Sequence, residues 1–262
     1  MRQFVVSCIP DKNGNILLNE KEQRYLFNVL RLKTGNKIDV SFPDGTMATM
    51  QINSAKLELV NQPVKEISLC EENPSNGPDF FVFQFLPKGP KMDLIVRQST
   101  ECGVSVIIPI IGEYSILGKK QDSLKENKNK VERWARIIRE ARQQCGSKIA
   151  TKIESPCTLD EAMSFWNNAC EKQKKGFVLR ERDERQESIF TLLGDIEDIK
   201  NCKIGMAIGC EGGISPREIE ILEKNGFLPI HLKTNILRAE TATLYSIAVL
   251  QSAIMEASVW KK

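Results

Sequence analysis

A single histidine, His231, stands in the whole chain, and the eight cysteines form no CxxC pair and no zinc-like spacing. A structural zinc site is therefore not expected. With no export signal, reduced thiols in the cytoplasm are the simplest reading. No apolar run approaches the roughly 18–20 residues of a membrane helix. The opening MRQFVVSCIP is too short in its apolar part for a secretory signal and alternates like a strand. GxxxxGKS/T is absent, which excludes a phosphate-cradling P-loop. No GxGxxG followed by an acid about twenty residues on marks a dinucleotide fold. Charge of one sign is lacking too: 37 Lys and Arg against 34 Asp and Glu leave +3, so any basic surface must be local.

What is present is a globular profile, 41% hydrophobic and 27% charged over 262 residues, enough for one large domain or two ordinary ones. The first seventy residues read as short strands: FVVSCI, then KIDVSF meeting TMATMQI across Pro43-Asp44-Gly45, then LELV and VKEISL. One helix interrupts them, capped by Asn19, with Leu26, Val29 and Leu30 as its apolar stripe. This pattern predicts a small β-barrel over residues 1–72 and a polar linker over 73–79. Over 80–262 the rhythm changes. Strands at 80–86, 105–111, 149–153, 176–180, 202–208 and 227–232 alternate with helices that include 159–172, 216–224 and 240–257. That alternation predicts a mostly parallel sheet covered by helices.

The most informative stretch is AIGCEGGISPREIEILEKNG, from Ala207 to Gly226. A buried strand runs into Gly209-Cys210-Glu211-Gly212-Gly213; Ser215 then caps a helix, with Pro216 in its first turn and Glu218 completing a capping box. Such a turn either solves a packing problem or lets a ligand lie directly on the main chain. Only one strand, FLPIHL, follows it, so a site here must be assembled at the end of the chain. After that strand a loop over 233–239 leads into a long apolar helix, with Arg238, Glu240 and Thr241 at the junction. These residues suit polar chemistry, or Glu240 complements the helix dipole and pairs with Arg238.

IGCEGGISPREIE followed by ILRAETATLYSIAVLQ resembles the RsmE family of the SPOUT, or trefoil-knot, methyltransferases. The similarity extends to KGPKMDLIVRQSTECGVSVIIP, ARQQCG and YLFNVLRLKTGNKI, and so covers nearly the whole chain. The resemblance implies an α/β fold: an N-terminal PUA-like β-barrel that engages RNA and a C-terminal SPOUT domain with a deep trefoil knot. It implies methylation of N3 of a uridine in small-subunit 16S ribosomal RNA, with S-adenosylmethionine as cofactor and no metal. The partners it implies are that RNA, in the assembled subunit, and a second copy of the chain in a homodimer. The alternatives are another RNA target on the same fold, or an RNA-binding protein without activity.

Carried over by that resemblance, the cofactor lies on Leu179, on Gly209, Glu211, Gly212 and Gly213, and on Leu232, Ile236, Leu237 and Arg238. Arg238 is the expected stabiliser of a uracil anion, and Glu240 orients the base or accepts its proton. Arg24, Arg31, Lys33, Lys88, Lys91 and Arg139 are the expected phosphate contacts. The helix carrying Trp134, Ile137, Ile138, Ala141 and Cys145 is expected to turn Arg133, Arg136, Arg139 and Arg142 to solvent, beside a loop with Lys119 and Lys120. His231 is read as structural rather than as a base, and Cys210 as inert. The chain departs from the family pattern at Cys210, Lys233, Asn235, Gln143, Ser147 and Tyr25.

Overall fold

The computed structural model describes residues 4–53, 56–59, 77–115, 124–168, 173–180, 189–194, 202–232 and 234–260. By internal contacts the chain divides into two compact units, Met1–Pro74 with Arg142–Ala150, and Ser75–Ala141 with Thr151–Lys262. Residues 60–76, which carry the VKEISL stretch and most of the expected linker, lie outside the described residues, as do Lys119, Lys120 and Lys233.

The first unit holds a five-stranded sheet in the order β1-β3-β4-β5-β2. β3 (Lys37–Ser41) and β4 (Met47–Asn53) form the expected hairpin, closing at Ser41↔Met47. Asp44 tightens its turn by accepting from the Thr46 amide and hydroxyl, and Gly45 takes the left-handed conformation there at φ +90°. β5 (Lys56–Leu59) pairs with β4 and with β2 (Asn15–Leu17), a strand the alternation did not mark. β1 (Phe4–Val5) lies parallel to β3. Phe4, Ile16, Leu26, Val40, Met50, Ile52 and Leu57 fill the core between them.

α1 (Glu20–Arg24) begins on the predicted cap: Asn19 accepts from the Glu22 amide while Glu22 accepts from the Asn19 amide. It then passes into a π-helical turn, Tyr25–Val29, in which Leu30 bonds back five residues to Tyr25. The wider π turn breaks the expected stripe. Leu26 is fully buried, but Val29 is 64% exposed.

Arg142 also departs from expectation. It is buried rather than solvated, donating from Nη2 to the buried Ser41 hydroxyl at 2.8 Å. Its place one turn beyond the buried Ile138 puts it on the inward face of its helix. Burial pulls its pKa below the ordinary guanidinium value, against the opposing pull of Cys145 and Asp44. Cys145, expected on that apolar face, is exposed.

The second unit is built on a six-stranded sheet in the order β11-β9-β10-β6-β7-β8, and every pairing is parallel. The strands are β6 (Asp79–Phe85), β7 (Val106–Ile110), β8 (Lys152–Ile153), β9 (Lys174–Leu179), β10 (Lys203–Ile208) and β11 (Phe227–Ile230). Between them run α2 (Lys91–Glu101), α3 (Leu124–Cys145), α4 (Leu159–Asn168), α5 (Ile189–Gly194) and α6 (Pro216–Lys224), and α7 (Ala239–Trp260) closes the fold.

Side chains alternate across the sheet as its pleat requires. On β6, Phe80 and Val82 join α2, α3, α5 and α7 in one core, while Phe81, Phe83 and Phe85 join α4 and α6 in the other. In that second core Trp166 and Phe227 meet Phe83 edge-on, with centroids 5.6 and 5.3 Å away. Gly176 makes room for Phe227, because a Cβ there would sit 2.8 Å from its ring.

Candidate active site

Parallel strands deliver their carboxyl ends to one edge, where ligands of open α/β sheets bind. At that edge the exits of β9, β10 and β11 surround a cavity of about 850 Å³. Leu179 comes from the first exit, Gly209, Glu211, Gly212 and Gly213 from the second, and Leu232, Ile236, Leu237 and Arg238 from the third. All nine positions on which the resemblance places the cofactor therefore line one space. Glu240 stands one residue past the lining residue Ala239, in the first turn of α7.

The glycine turn is shaped by close approach. A Cβ on Gly209 would lie 2.8 Å from the carbonyl carbon and 2.9 Å from the Cα of Gly213, so only glycine fits. Gly213 takes φ +77°, and a Cβ on it would meet nothing within 4 Å. Its amide donates to the Cys210 carbonyl at 2.9 Å, and the buried Cys210 thiol donates back to the Gly213 carbonyl at 3.6 Å. Cys210 thus closes the turn.

The helix that follows is anchored twice by Glu218. One carboxylate oxygen accepts from the Ser215 amide at 2.9 Å, completing the expected capping box. The other accepts from the Glu113 amide at 2.8 Å, in the loop leaving β7.

Charge gathers between the turn and α7. Lys91 donates to Glu211 at 2.6 Å and lies 3.9 Å from Glu240. Glu211 also accepts from the Lys88 amide. The cation beside Glu240 is therefore Lys91, a residue the sequence marked for RNA phosphate. One Glu240 oxygen, Oε2, is buried and accepts no hydrogen bond among the described residues. Partial burial would raise the Glu211 pKa, but the Lys91 hydrogen bond and the amides of Glu211 and Lys88 outweigh it and hold it below the ordinary carboxylate value. The bond to Glu211 in turn holds Lys91 above its ordinary value, against desolvation and the nearby Arg238.

The pair is intact through the neutral range and is lost as pH falls through the depressed Glu211 value or rises through the elevated Lys91 value. Lys91→Met should leave burial dominant at Glu211 and raise its pKa above that of the unaltered protein. A carboxyl NMR titration checks this, and an unmoved midpoint contradicts it.

Arg24, Arg31 and Lys33 are exposed on the first unit. Arg139 is half-buried on α3, and Lys88 is exposed in the loop after β6. His231 lines the cavity with its Nδ1 3.1 Å from the Arg180 carbonyl, a backbone-satisfying position. Tyr25 stacks on Phe4.

Two contributors escaped the sequence reading. Gln84 is fully buried on β6 among hydrophobic neighbours, and its interruption of FFVFQFL was the signal available. Tyr114 covers the turn, its Cβ 2.9 Å from where a Cβ of Gly212 would stand, and nothing in its sequence context pointed there.

These features suit a cationic donor with an apolar body. Leu179, Ile208, Leu232 and Leu237 offer apolar wall, the glycine turn offers main chain, and Glu211 and Glu240 place two carboxylates against one lysine. Among the described residues no group of acids, cysteines and histidine is placed to hold a metal ion. No helix among them is long and apolar enough to cross a membrane.

Comparison with known proteins agrees with this geometry. A family described as RNA methyltransferase domain matches residues 74–251, and one described as RNA methyltransferase PUA domain matches residues 18–60. A ribosomal RNA small subunit methyltransferase E 2 from Borreliella burgdorferi is 30% identical over 97% of this chain and 98% of its own. A ribosomal RNA small subunit methyltransferase E from Bacillus subtilis is 29% identical over 88% of this chain and 87% of its own. The crystal structure of a ribosomal RNA small subunit methyltransferase E from Neisseria gonorrhoeae bound to S-adenosyl methionine matches in fold. Its TM-score is 0.73 at 23% identity, covering 96% of this chain and 97% of that one.

Proposed function

Because the chain belongs to the RsmE family of RNA methyltransferases, we propose that it methylates N3 of a uridine in small-subunit ribosomal RNA, with S-adenosylmethionine as donor. The observation that carries this reading is the cavity in which the glycine turn, Glu211 and Arg238 meet at the ends of three adjacent strands, with Glu240 in the helix turn beside it. Bound there, S-adenosylmethionine supplies an electrophilic methyl group on a sulfonium.

The chain's own residues supply the rest. Uracil N3 carries a proton at neutral pH and becomes nucleophilic only when that proton leaves, which spreads negative charge onto the ring carbonyl oxygens. Arg238, exposed at the cavity rim, meets that charge with a guanidinium. Glu240, with a buried oxygen free to accept, orients the N3–H or takes its proton. Glu211, on the cavity wall with Lys91 as its partner, would add a carboxylate near the donor's positive charge. The loops would hold the two reactants together, so positioning would supply much of the acceleration.

The first unit, with Arg24, Arg31 and Lys33 exposed, is read as the RNA-engaging domain. The knot implied by the resemblance falls in this loop cluster, with α7 drawn through it. α7 also turns Tyr245 and Met255 outward, 42% and 61% exposed, and the neighbouring α2 leaves Leu94 39% exposed. An apolar outer face on an already core-forming helix is the surface we assign to a second copy.

Nucleoside analysis of small-subunit RNA tests the function. A strain lacking this protein should lose one 3-methyluridine, and the purified protein should restore it. Retention of that nucleoside refutes the reading, and loss of a different one redirects it to another RNA position.

A further inference from the structure

Gln84 occupies a position on β6 that its neighbours give to phenylalanine and valine, and it is fully buried. Its amide nitrogen lies 2.9 Å from the Phe85 carbonyl, 3.3 Å from that of Ile208 and 3.4 Å from that of Gly209. Three carbonyls around one end of the amide fix its orientation, because the oxygen turned that way would face only acceptors. The amide oxygen therefore points to α7, where it accepts from the Thr243 hydroxyl at 2.6 Å. That hydroxyl also lies 2.9 Å from the Ala239 carbonyl one turn earlier, the usual satisfaction of a helical threonine. The shorter contact goes to Gln84.

One side chain thus joins two walls of the cavity. On one side is the carbonyl of Gly209, where β10 enters the glycine turn. On the other is Thr243 of α7, one turn beyond Ala239 and so just past the turn that contains Glu240 and follows directly on Arg238. A leucine would fill the same volume without joining anything, and a buried amide is costly unless its partners are fixed.

We infer that Gln84 and Thr243 are positioning residues, a buried strut that sets the distance between the methyl-donor turn and the acceptor-side pair Arg238 and Glu240. The inference rests on the reading given under Proposed function. Neither residue touches substrate. The strut acts by holding the two walls in register, and in-line methyl transfer is sensitive to errors well under an ångström or two.

Thr243→Val is the sharpest test, since it removes the hydroxyl and keeps the shape. With saturating donor and small-subunit RNA it should lower the single-turnover rate about tenfold, while calorimetry finds the donor Kd within about threefold. Thr243→Ser should restore the rate. Gln84→Met should repeat the loss, and a failure of that variant to fold leaves the threonine pair to decide. Hydrogen exchange supplies a readout without turnover: in Thr243→Val the amides of 209–213 and of the first turn of α7 should exchange faster together. Unaltered exchange at both places overturns the strut. So does a wild-type rate in Thr243→Val, or a rate loss matched by an equal loss of donor affinity. Absence of methyl transfer by the unaltered protein would instead overturn the proposed function, and the exchange measurement would still decide the strut.

Discussion

Arg238→Ala should reduce turnover on small-subunit RNA by about 10²–10³-fold, the loss found when one donor to a developing anion is removed. The fold should stay near that of the unaltered protein. Arg238 is exposed at the cavity rim, so its side chain leaves without opening a core, and surface substitutions usually shift stability by within about 0.5 kcal/mol. The charge it meets develops only as N3 loses its proton. The defect should therefore fall on the chemical step and not on substrate affinity. Arg238→Lys should recover little, because a point charge cannot span two acceptors as a planar guanidinium does. Single-turnover kinetics at saturating donor, with melting and calorimetry alongside, checks this. An alanine variant that turns over at the unaltered rate removes Arg238 from the mechanism.

Gly209→Ala should weaken donor binding by about 10–100-fold, matching the roughly 1–3 kcal/mol typical of forced overpacking. The added methyl would stand 2.8 Å from the Gly213 carbonyl carbon, 2.9 Å from its Cα and 3.1 Å from its oxygen. These are main-chain atoms, so no side chain swings aside to admit it. The turn must open, and the Gly213-to-Cys210 bond that closes it is strained or lost. Isothermal titration with S-adenosylmethionine and with its demethylated product reads the effect. Affinity equal to that of the unaltered protein would show that the turn does not hold the donor.

The glycine turn and its helix were legible because every signal for them is local. Ser215, Pro216 and Glu218 cap α6 at the expected residue, and Asn19 with Glu22 does the same for α1. Strand and helix alternation gave the parallel sheet for a similar reason, since most of its strands carry a short apolar run between polar turns.

The losses were of two kinds. Val29 was placed inward because a stripe at helical spacing assumes α geometry, and no residue in YLFNV announces a π turn. Arg142 was placed outward because arginines are usually solvated, although its spacing from Ile138 put it on the inner face. The charge cluster of Lys91, Glu211 and Glu240 was hidden differently. Its members lie 120 or more residues apart along the chain in the case of Lys91 and Glu211, and only the folded sheet edge brings them together.

Gln84 and Thr243 meet across 159 residues of intervening chain. A polypeptide still emerging from the ribosome can pair its early parallel strands, yet it has no finished recess until α7 has been made and seated. In the reading proposed above, donor binding therefore requires α7 to be seated, and the glycine turn alone does not suffice.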